Sequence, residues 1–313
     1  MMFHSETALF ITVFALLGIA SGVGLALRKR PLYQTNPQLV EEIVLRTNAW
    51  WVMSVIILLA IALGFYAVTF LFFVVSLLAL REYLSLIATR AADHRTLFWS
   101  FLIIPPIQYY LVAIEWYGLY SIFIPVYACI FVPLRMTLSR DCTAFLQRAA
   151  EIHWGLMLFV YLLSYAPALL TLHIEHYDHS RWVLLFYLVF ITEMSDIMQF
   201  VSGKLFGRRK IAPEVSPNKT WEGLAGGIGS AMLIGVALSP LTPFTAVQSA
   251  VISFVIGIAG FFGGLTMSAI KRDIGVKDFG SLIAGHGGVI DRMDSLCFAT
   301  PIFFHLLRYY FTV

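Results

Sequence analysis

Residues Thr47 to Leu80 read TNAWWVMSVIILLAIALGFYAVTFLFFVVSLLAL, an unbroken run without Asp, Glu, Lys or Arg. A single helix of that length would reach roughly 51 Å at 1.5 Å per residue, well beyond the ~30 Å hydrocarbon core of a bilayer. Two shorter helices breaking near Gly64 fit better. The rest of the chain agrees: 59% of its 313 residues are hydrophobic and only 12% are charged, with a mean hydropathy of +0.83, far from the balance of a soluble domain. The apolar stretches approach the ~20 residues a crossing helix needs and exceed core strands, so a helical bundle is favoured over a barrel.

Outward from that run, further spans are predicted at Thr7 to Leu27, Leu97 to Ile114, Tyr117 to Leu134, Ile152 to Leu170, Trp182 to Ser202, Trp221 to Leu238, Ala246 to Met267 and Ser295 to the C-terminus. The expected fold is therefore all-α, a polytopic integral membrane bundle of about ten transmembrane helices, with eight to ten compatible with the pattern. The first run is too long for a signal-peptide core, and its basic flank of Arg28, Lys29 and Arg30 follows it, so it is expected to be a retained helix with its N-terminus outside.

Threading ten spans places residues 28 to 46, 81 to 95, 135 to 148, 204 to 219 and 271 to 292 on one side. All of the 21 Lys and Arg residues except Arg181 and Arg308 fall there, and the positive-inside rule makes that side cytoplasmic. The uncharged run must cross twice for this to work, which supports the length argument independently. A net charge of +3 does not point to nucleic acid, because in a membrane protein the placement of basic residues outweighs their sum. Cys129, Cys142 and Cys297 form no paired motif and are read as packing residues. No internal repeat is seen. The chain is divided into an N-terminal helical scaffold, 1–180, with a lipid-facing role, and a C-terminal membrane region, 181–313, that bears the chemistry.

Polar residues gather in three places. Asp196 lies inside an apolar helix with Glu193 one turn earlier, and an ionisable group in a span is costly enough to suggest function; a buried paired carboxylate and ion translocation are the competing readings. The segment Gly203 to Gly223, GKLFGRRKIAPEVSPNKTWEG, carries a predicted turn at Ser216 and Pro217, then Lys219 and Thr220 before a helix starting near Trp221. Helix N-termini attract anions, so this segment suits phosphate, while Lys204, Arg208, Arg209 and Lys210 read as a topological anchor. The third place, Ser268 to Asp294, reads SAIKRDIGVKDFGSLIAGHGGVIDRMD. If it is helical at Asp291, Asp294 lies one turn on, and clustered carboxylates suit magnesium carried with substrate phosphates. His286 reads equally as a ligand or a loop residue, and Gly287 with Gly288 permits an anion-binding nest. Gly223 with Gly227 and Gly260 with Gly264 have helix-packing spacing.

The order S-x-x-K-R, K-D, H-G-G, D-R-x-D from Ser268 to Asp294 resembles the signature of the phosphatidate cytidylyltransferase (CDP-diacylglycerol synthase) family. Ser195–Asp196 and S-P-N-K-T-W-E-G from Ser216 resemble upstream blocks of that family, whereas Ala284 and Ile197 to Phe200 depart from it. The resemblance implies transfer of CMP from CTP to phosphatidate, giving CDP-diacylglycerol and pyrophosphate, with Mg2+ required and K+ as a second ion. It implies metal-binding Asp196, Asp278, Asp291 and Asp294, with Asp278, Asp291, Asp294 and Lys271 catalytic. Substrate contacts are expected from Ser216, Lys219, Thr220, Arg272, Lys277, His286, Gly287, Gly288 and Arg292; Arg292 reads equally as a partner of the flanking aspartates. The expected partners are CTP, phosphatidate and membrane lipids, with no nucleic acid and with a homodimer compatible. The expected setting is a bacterial inner membrane with the site facing the cytoplasm. The alternatives are a CTP-dependent enzyme for another lipid phosphate, or an ion-coupled carrier using Asp196 and Glu193, although no matching broken segments occur in two halves.

Overall fold

The computed structural model describes residues 2–28, 37–175, 177, 179–282 and 287–312. Ten helices carry nearly all of it. They are α1 (Met2–Arg28), α2 (Pro37–Leu63) and α3 (Phe65–Leu84), then α4 (Ala91–Ala113), α5 (Tyr117–Thr137) and α6 (Phe145–Thr171). They continue with α7 (Trp182–Phe206), α8 (Trp221–Leu238), α9 (Ala246–Ile274) and α10 (Ile290–Phe311). Among the described residues, 9 of these helices are long and apolar enough to cross a membrane. The tenth, α10, has 22 residues, enough to rise about 33 Å, but carries Asp291, Arg292, Asp294 and Arg308. The protein is an all-α, multi-pass integral membrane protein.

The uncharged run divides at one residue. Gly64 has φ +96°, a left-handed conformation that glycine adopts without steric cost. Its N–H bonds the Ala60 carbonyl at 3.1 Å to close α2, and its own carbonyl accepts from Val68 at 3.2 Å to open α3. Helix α4 is interrupted at Ile103, where Pro105 and Pro106 follow Ile104 at the start of its second half, since proline has no N–H to continue the ladder. Helices α5 and α6 each contain a wide turn, Phe123–Ala128 and Met157–Tyr161.

Helix α6 is the most enclosed span, 67% buried against 6% for α1, so α6 forms the centre and α1 the periphery. One buried cluster runs from Ala60 to Leu307. Small residues let helices close on one another: a Cβ on Gly223 would lie 2.8 Å from the Gln199 carbonyl, and one on Gly227 would lie 2.7 Å from that of Ser195. Both contacts join α8 to α7, as the glycine spacing predicts. Gly260 likewise faces Ser295 and Thr192, packing α9 against α10 and α7.

Contacts at the two ends of the bundle show which segments meet. At one end Glu82 of α3 meets Val289 at 3.0 Å, and Arg272 of α9 reaches the Val215 carbonyl at 3.4 Å. At the other, Arg308 sits over the Tyr117 ring at 3.7 Å, and Ile174 pairs with Thr312.

Three expectations are corrected. Ser216 and Pro217 are not a turn: Ser216–Thr220 is strand β2, antiparallel to β1 (Lys210–Ala212), and pairings this short leave little alternation to read. Helix α10 begins at Ile290 rather than Ser295, bringing Asp291 and Asp294 onto its first turns. Of the cysteines only Cys297 is buried, whereas Cys129 and Cys142 are exposed.

Candidate active site

At the basic end, helices α7 to α10 and strand β2 surround a polar cavity of about 520 Å³. Each element contributes for a local reason. Helix α7 carries Glu193 and Asp196 one turn apart, and both face this space. Gln199 steadies the turn, donating to Ser195 Oγ at 3.0 Å and more weakly to Asp196 Oδ1 at 3.4 Å. Strand β2 delivers Lys219 inward. Its Nζ donates to the Phe261 carbonyl at 3.3 Å and lies 4.6 Å from the centre of the Phe261 ring, a cation–π contact within a half-buried setting.

Helix α10 contributes Asp291, Arg292 and Asp294 to the same lining. Asp294 accepts from the N–H of Ser295 at 2.7 Å, and its carboxylate, that of Asp196 and the cations Lys219 and Arg292 are within electrostatic reach of one another. Gly264 of α9 makes room for the meeting: a Cβ there would lie 2.9 Å from Lys219 Nζ and 3.6 Å from Asp294 Oδ2. Its role is therefore in the cavity as well as in the helix packing that its spacing suggests. Arg292 has a buried Nε without a hydrogen-bond partner, and among the described residues it forms no ion pair with the aspartates beside it. An uncompensated buried donor of this kind is costly unless something polar arrives to meet it.

The other predicted residues are placed differently. Asp291 is occupied by the protein itself: Oδ1 takes Lys271 Nζ at 3.0 Å, and Oδ2 accepts from the N–H groups of Phe279 and Gly288 at 3.0 and 2.9 Å. Asp291 and Lys271 thus tie the segment after α9 to the start of α10. Gly287, with φ +83°, adopts the left-handed conformation beside that carboxylate, where a Cβ would come within 2.8 Å of Oδ2. Thr220 is the N-cap of α8, its hydroxyl accepting from Gly223 at 3.1 Å. Ser216 lines the cavity from the first position of β2. Arg272, Lys277 and Asp278 are exposed and outside the cavity lining. His286 and Ala284 lie outside the described residues. Among the described residues no three His, Cys, Asp or Glu side chains converge as a metal cage; Glu193, Asp196 and Asp294 are carboxylates that line the cavity with Lys219, and none of them forms an ion pair among the described residues.

The basic loop before β1 is held to α8. The Glu222 carboxylate accepts from the backbone N–H groups of Arg208 and Arg209 at 3.0 and 3.2 Å, and both arginines are exposed.

Two contributions were not visible in the sequence. Arg46 and Trp50, from α2, line the polar cavity although they lie far from the chemistry-bearing segments. Arg46 at a helix end carries only a topological signal in sequence. Glu82, at the end of α3, reaches the start of α10; an acid beside Arg81 likewise reads as an ordinary helix terminus. The polar cavity also meets an apolar one of about 290 Å³ between α1, α2 and α7, and the two share Trp50, Glu193 and Ile197 as a common wall.

Comparison with known proteins gives a consistent result. A model of the cytidylyltransferase family matches residues 44–310, from α2 through α10. The chain is 38% identical to an Escherichia coli (strain K12) protein named "Uncharacterized protein YnbB" over 299 residues, covering 95% of this chain and 97% of that protein. It is 38% identical over 157 residues to the phosphatidate cytidylyltransferase of Haemophilus influenzae, covering 47% of this chain and 54% of that protein. It is 34% identical over 178 residues to the phosphatidate cytidylyltransferase of Bacillus subtilis, covering 56% and 62%. The chain thus spans about half to three fifths of the length of these two relatives.

Proposed function

The chain belongs to the cytidylyltransferase family, and from that premise we propose that it transfers CMP from CTP to phosphatidate, forming CDP-diacylglycerol and releasing pyrophosphate. The observation that carries this reading is the meeting of carboxylates, Asp196 and Asp294 among them, with the cations Lys219 and Arg292 in a polar cavity that abuts an apolar one. A nucleotide and a lipid phosphate need such a pairing, charge on one side and hydrocarbon on the other.

In the reaction an oxygen of the phosphatidate phosphomonoester attacks the α-phosphorus of CTP. The new P–O bond makes a diphosphate, and the bond from the α-phosphorus to the bridging oxygen breaks, the electron pair leaving with pyrophosphate. A phosphomonoester with a second pKa near 6 is largely dianionic at neutral pH, so little general-base help is needed. The obstacle is bringing two polyanions together, and alignment with charge neutralisation answers it. Lys219 and Arg292 bind phosphate oxygens, Arg292 through the donor that otherwise lacks a partner. Ser216 and Arg46 line the same space and orient the headgroup or the triphosphate. Carboxylate oxygens in a polar cavity match the hard-donor preference of magnesium, which commonly takes one or two protein carboxylates and completes its shell with phosphate and water. Asp196 and Asp294 would hold it, with potassium as a second ion, and it would supply neutralisation of the triphosphate charge.

In this reading the cavity opens at the cytoplasmic face of a bacterial inner membrane, where CTP is available, and the concentration of Lys and Arg at that end supports the orientation. The lipid's chains stay in hydrocarbon, one of them entering the apolar cavity beside Trp50. The carrier alternative gives way to the family assignment.

The test is the purified chain in detergent with labelled CTP, magnesium and phosphatidate. A labelled liponucleotide that needs all three is the expected product. A folded protein that is silent with phosphatidate but active with a polyprenyl phosphate would move the reading to another lipid. A second prediction concerns Gly264→Ala. The added methyl displaces the Lys219 ammonium, and kcat/KM is expected to fall about 10-fold to 10²-fold, the scale of an ångström-level misplacement. Unchanged kinetics would remove Lys219 from substrate binding.

A further inference from the structure

Helix α10 begins without a cap of its own. Val289, at its N-cap position, has no side-chain oxygen to accept from the first turn, yet the N–H groups at a helix start need partners when buried. The partner comes from the far half of the chain. Glu82, at the last turn of α3, accepts from Val289 N at 3.0 Å through Oε1 and from Ile290 N at 3.1 Å through Oε2. Both carboxylate oxygens are used, and the charge lies at the positive end of the helix dipole.

The surrounding backbone is shaped for this carboxylate. A Cβ on Gly288 would lie 2.5 Å from Glu82 Oε2, and one on Gly280 would lie 2.7 Å from Oε1. The two glycines also pack on each other, since the Gly280 position faces the Gly288 Cα at 3.3 Å. The anion-accepting start of α10, with Gly288 beside it, is therefore filled by an internal carboxylate. We propose that Glu82 is a positioning residue for the cytidylyl-transfer site: it docks the start of α10 onto α3 and so fixes where Arg292 and Asp294 project into the cavity. The inference rests on the function proposed above. It assigns Gly288 to close approach of Glu82 instead of to a substrate phosphate.

Three variants test this: Glu82→Ala, Glu82→Gln and Gly288→Ala, each purified in detergent and compared with the wild type. Hydrogen exchange of the peptide containing Val289 and Ile290 reads the contact without reference to activity, and those amides are expected to lose protection in Glu82→Ala. Liponucleotide formation reads the consequence. The kcat is expected to fall about 10-fold to 10²-fold, the usual cost of losing a group that orients catalytic ligands. The magnesium concentration for half-maximal rate should rise while KM for the lipid stays within about twofold. Glu82→Gln keeps one acceptor oxygen and should recover part of kcat. Gly288→Ala should resemble Glu82→Ala. Should Glu82→Ala not fold, the Gln and Gly288 variants make the same comparison. Normal exchange, or a lower melting temperature with unchanged kcat and magnesium dependence, overturns the proposal. A wild-type protein without cytidylyl transfer overturns the function instead, so the two failures are distinct.

Discussion

Asp294→Asn is expected to lower liponucleotide formation on the order of 10³-fold, comparable to removing a preorganised electrostatic group from an enclosed site. The substitution is nearly isosteric and keeps an oxygen for the Ser295 N–H that Asp294 now accepts at 2.7 Å, so helix α10 should survive it. What disappears is one of the carboxylates that line the cavity with Lys219 and Arg292, leaving a weaker hold on a divalent cation. The loss should appear in kcat at saturating CTP, and added magnesium should restore part of it. Near-normal turnover with normal magnesium dependence would take Asp294 out of the reaction. Asp291→Asn is the contrasting case. Its carboxylate already receives Lys271 and two backbone N–H groups, so its effect should show first in thermal stability.

Arg148→Met is expected to destabilise the N-terminal half by about 3–5 kcal/mol, the cost of stranding a buried charge. Arg148 of α6 is 3% exposed and donates from Nη1 to Asp93, which is 0% exposed, at 2.6 Å. Nη2 donates to the Asp141 carbonyl at 2.9 Å. Asp93 also accepts from the Arg90 backbone N–H, and Arg90 Nε reaches Asp141 at 2.8 Å. One guanidinium therefore ties the start of α4, the loop before α6 and α6 together. Remove it and Asp93 remains buried without a counter-charge. The double variant Asp93→Asn/Arg148→Met removes the stranded charge and should recover most of the loss, measured by thermal unfolding in detergent. A single-variant loss below about 1 kcal/mol would mean that water reaches Asp93. The backbone N–H of Thr143 holds Asp141 below the usual carboxylate range, with its hydroxyl and Arg90 assisting. The stability Asp141 contributes is present above its unfolded pKa and lost as pH falls through its lowered folded value, so the clamp should weaken in acid and not in base.

Much of the architecture could be read without coordinates because membrane insertion is governed by local quantities. Span length and hydropathy decide whether a segment crosses, and the distribution of Lys and Arg decides its direction. The break at Gly64 belongs to the same class, since a run twice too long must turn and glycine tolerates the required φ. Asp196, Lys219, Arg292 and Asp294 were legible as chemistry because charge inside an apolar chain stands out. The sequence offered no equal signal for the short pairing of β1 with β2, whose strands are defined by each other.

The amino-acid sequence alone determined the helical, membrane-spanning class, bounded the number of helices, and marked which charged residues had to be accounted for, each a property of a contiguous stretch. Only the tertiary structure decided the separation of roles among neighbours. It turned Asp291 towards Lys271, left Asp294 open to the cavity, brought Arg46 from α2 to the same space and set Glu82 on the start of α10, 207 positions further along the sequence. Such pairings depend on how closely glycine-bearing surfaces approach, a distance that no local pattern of hydropathy or charge encodes.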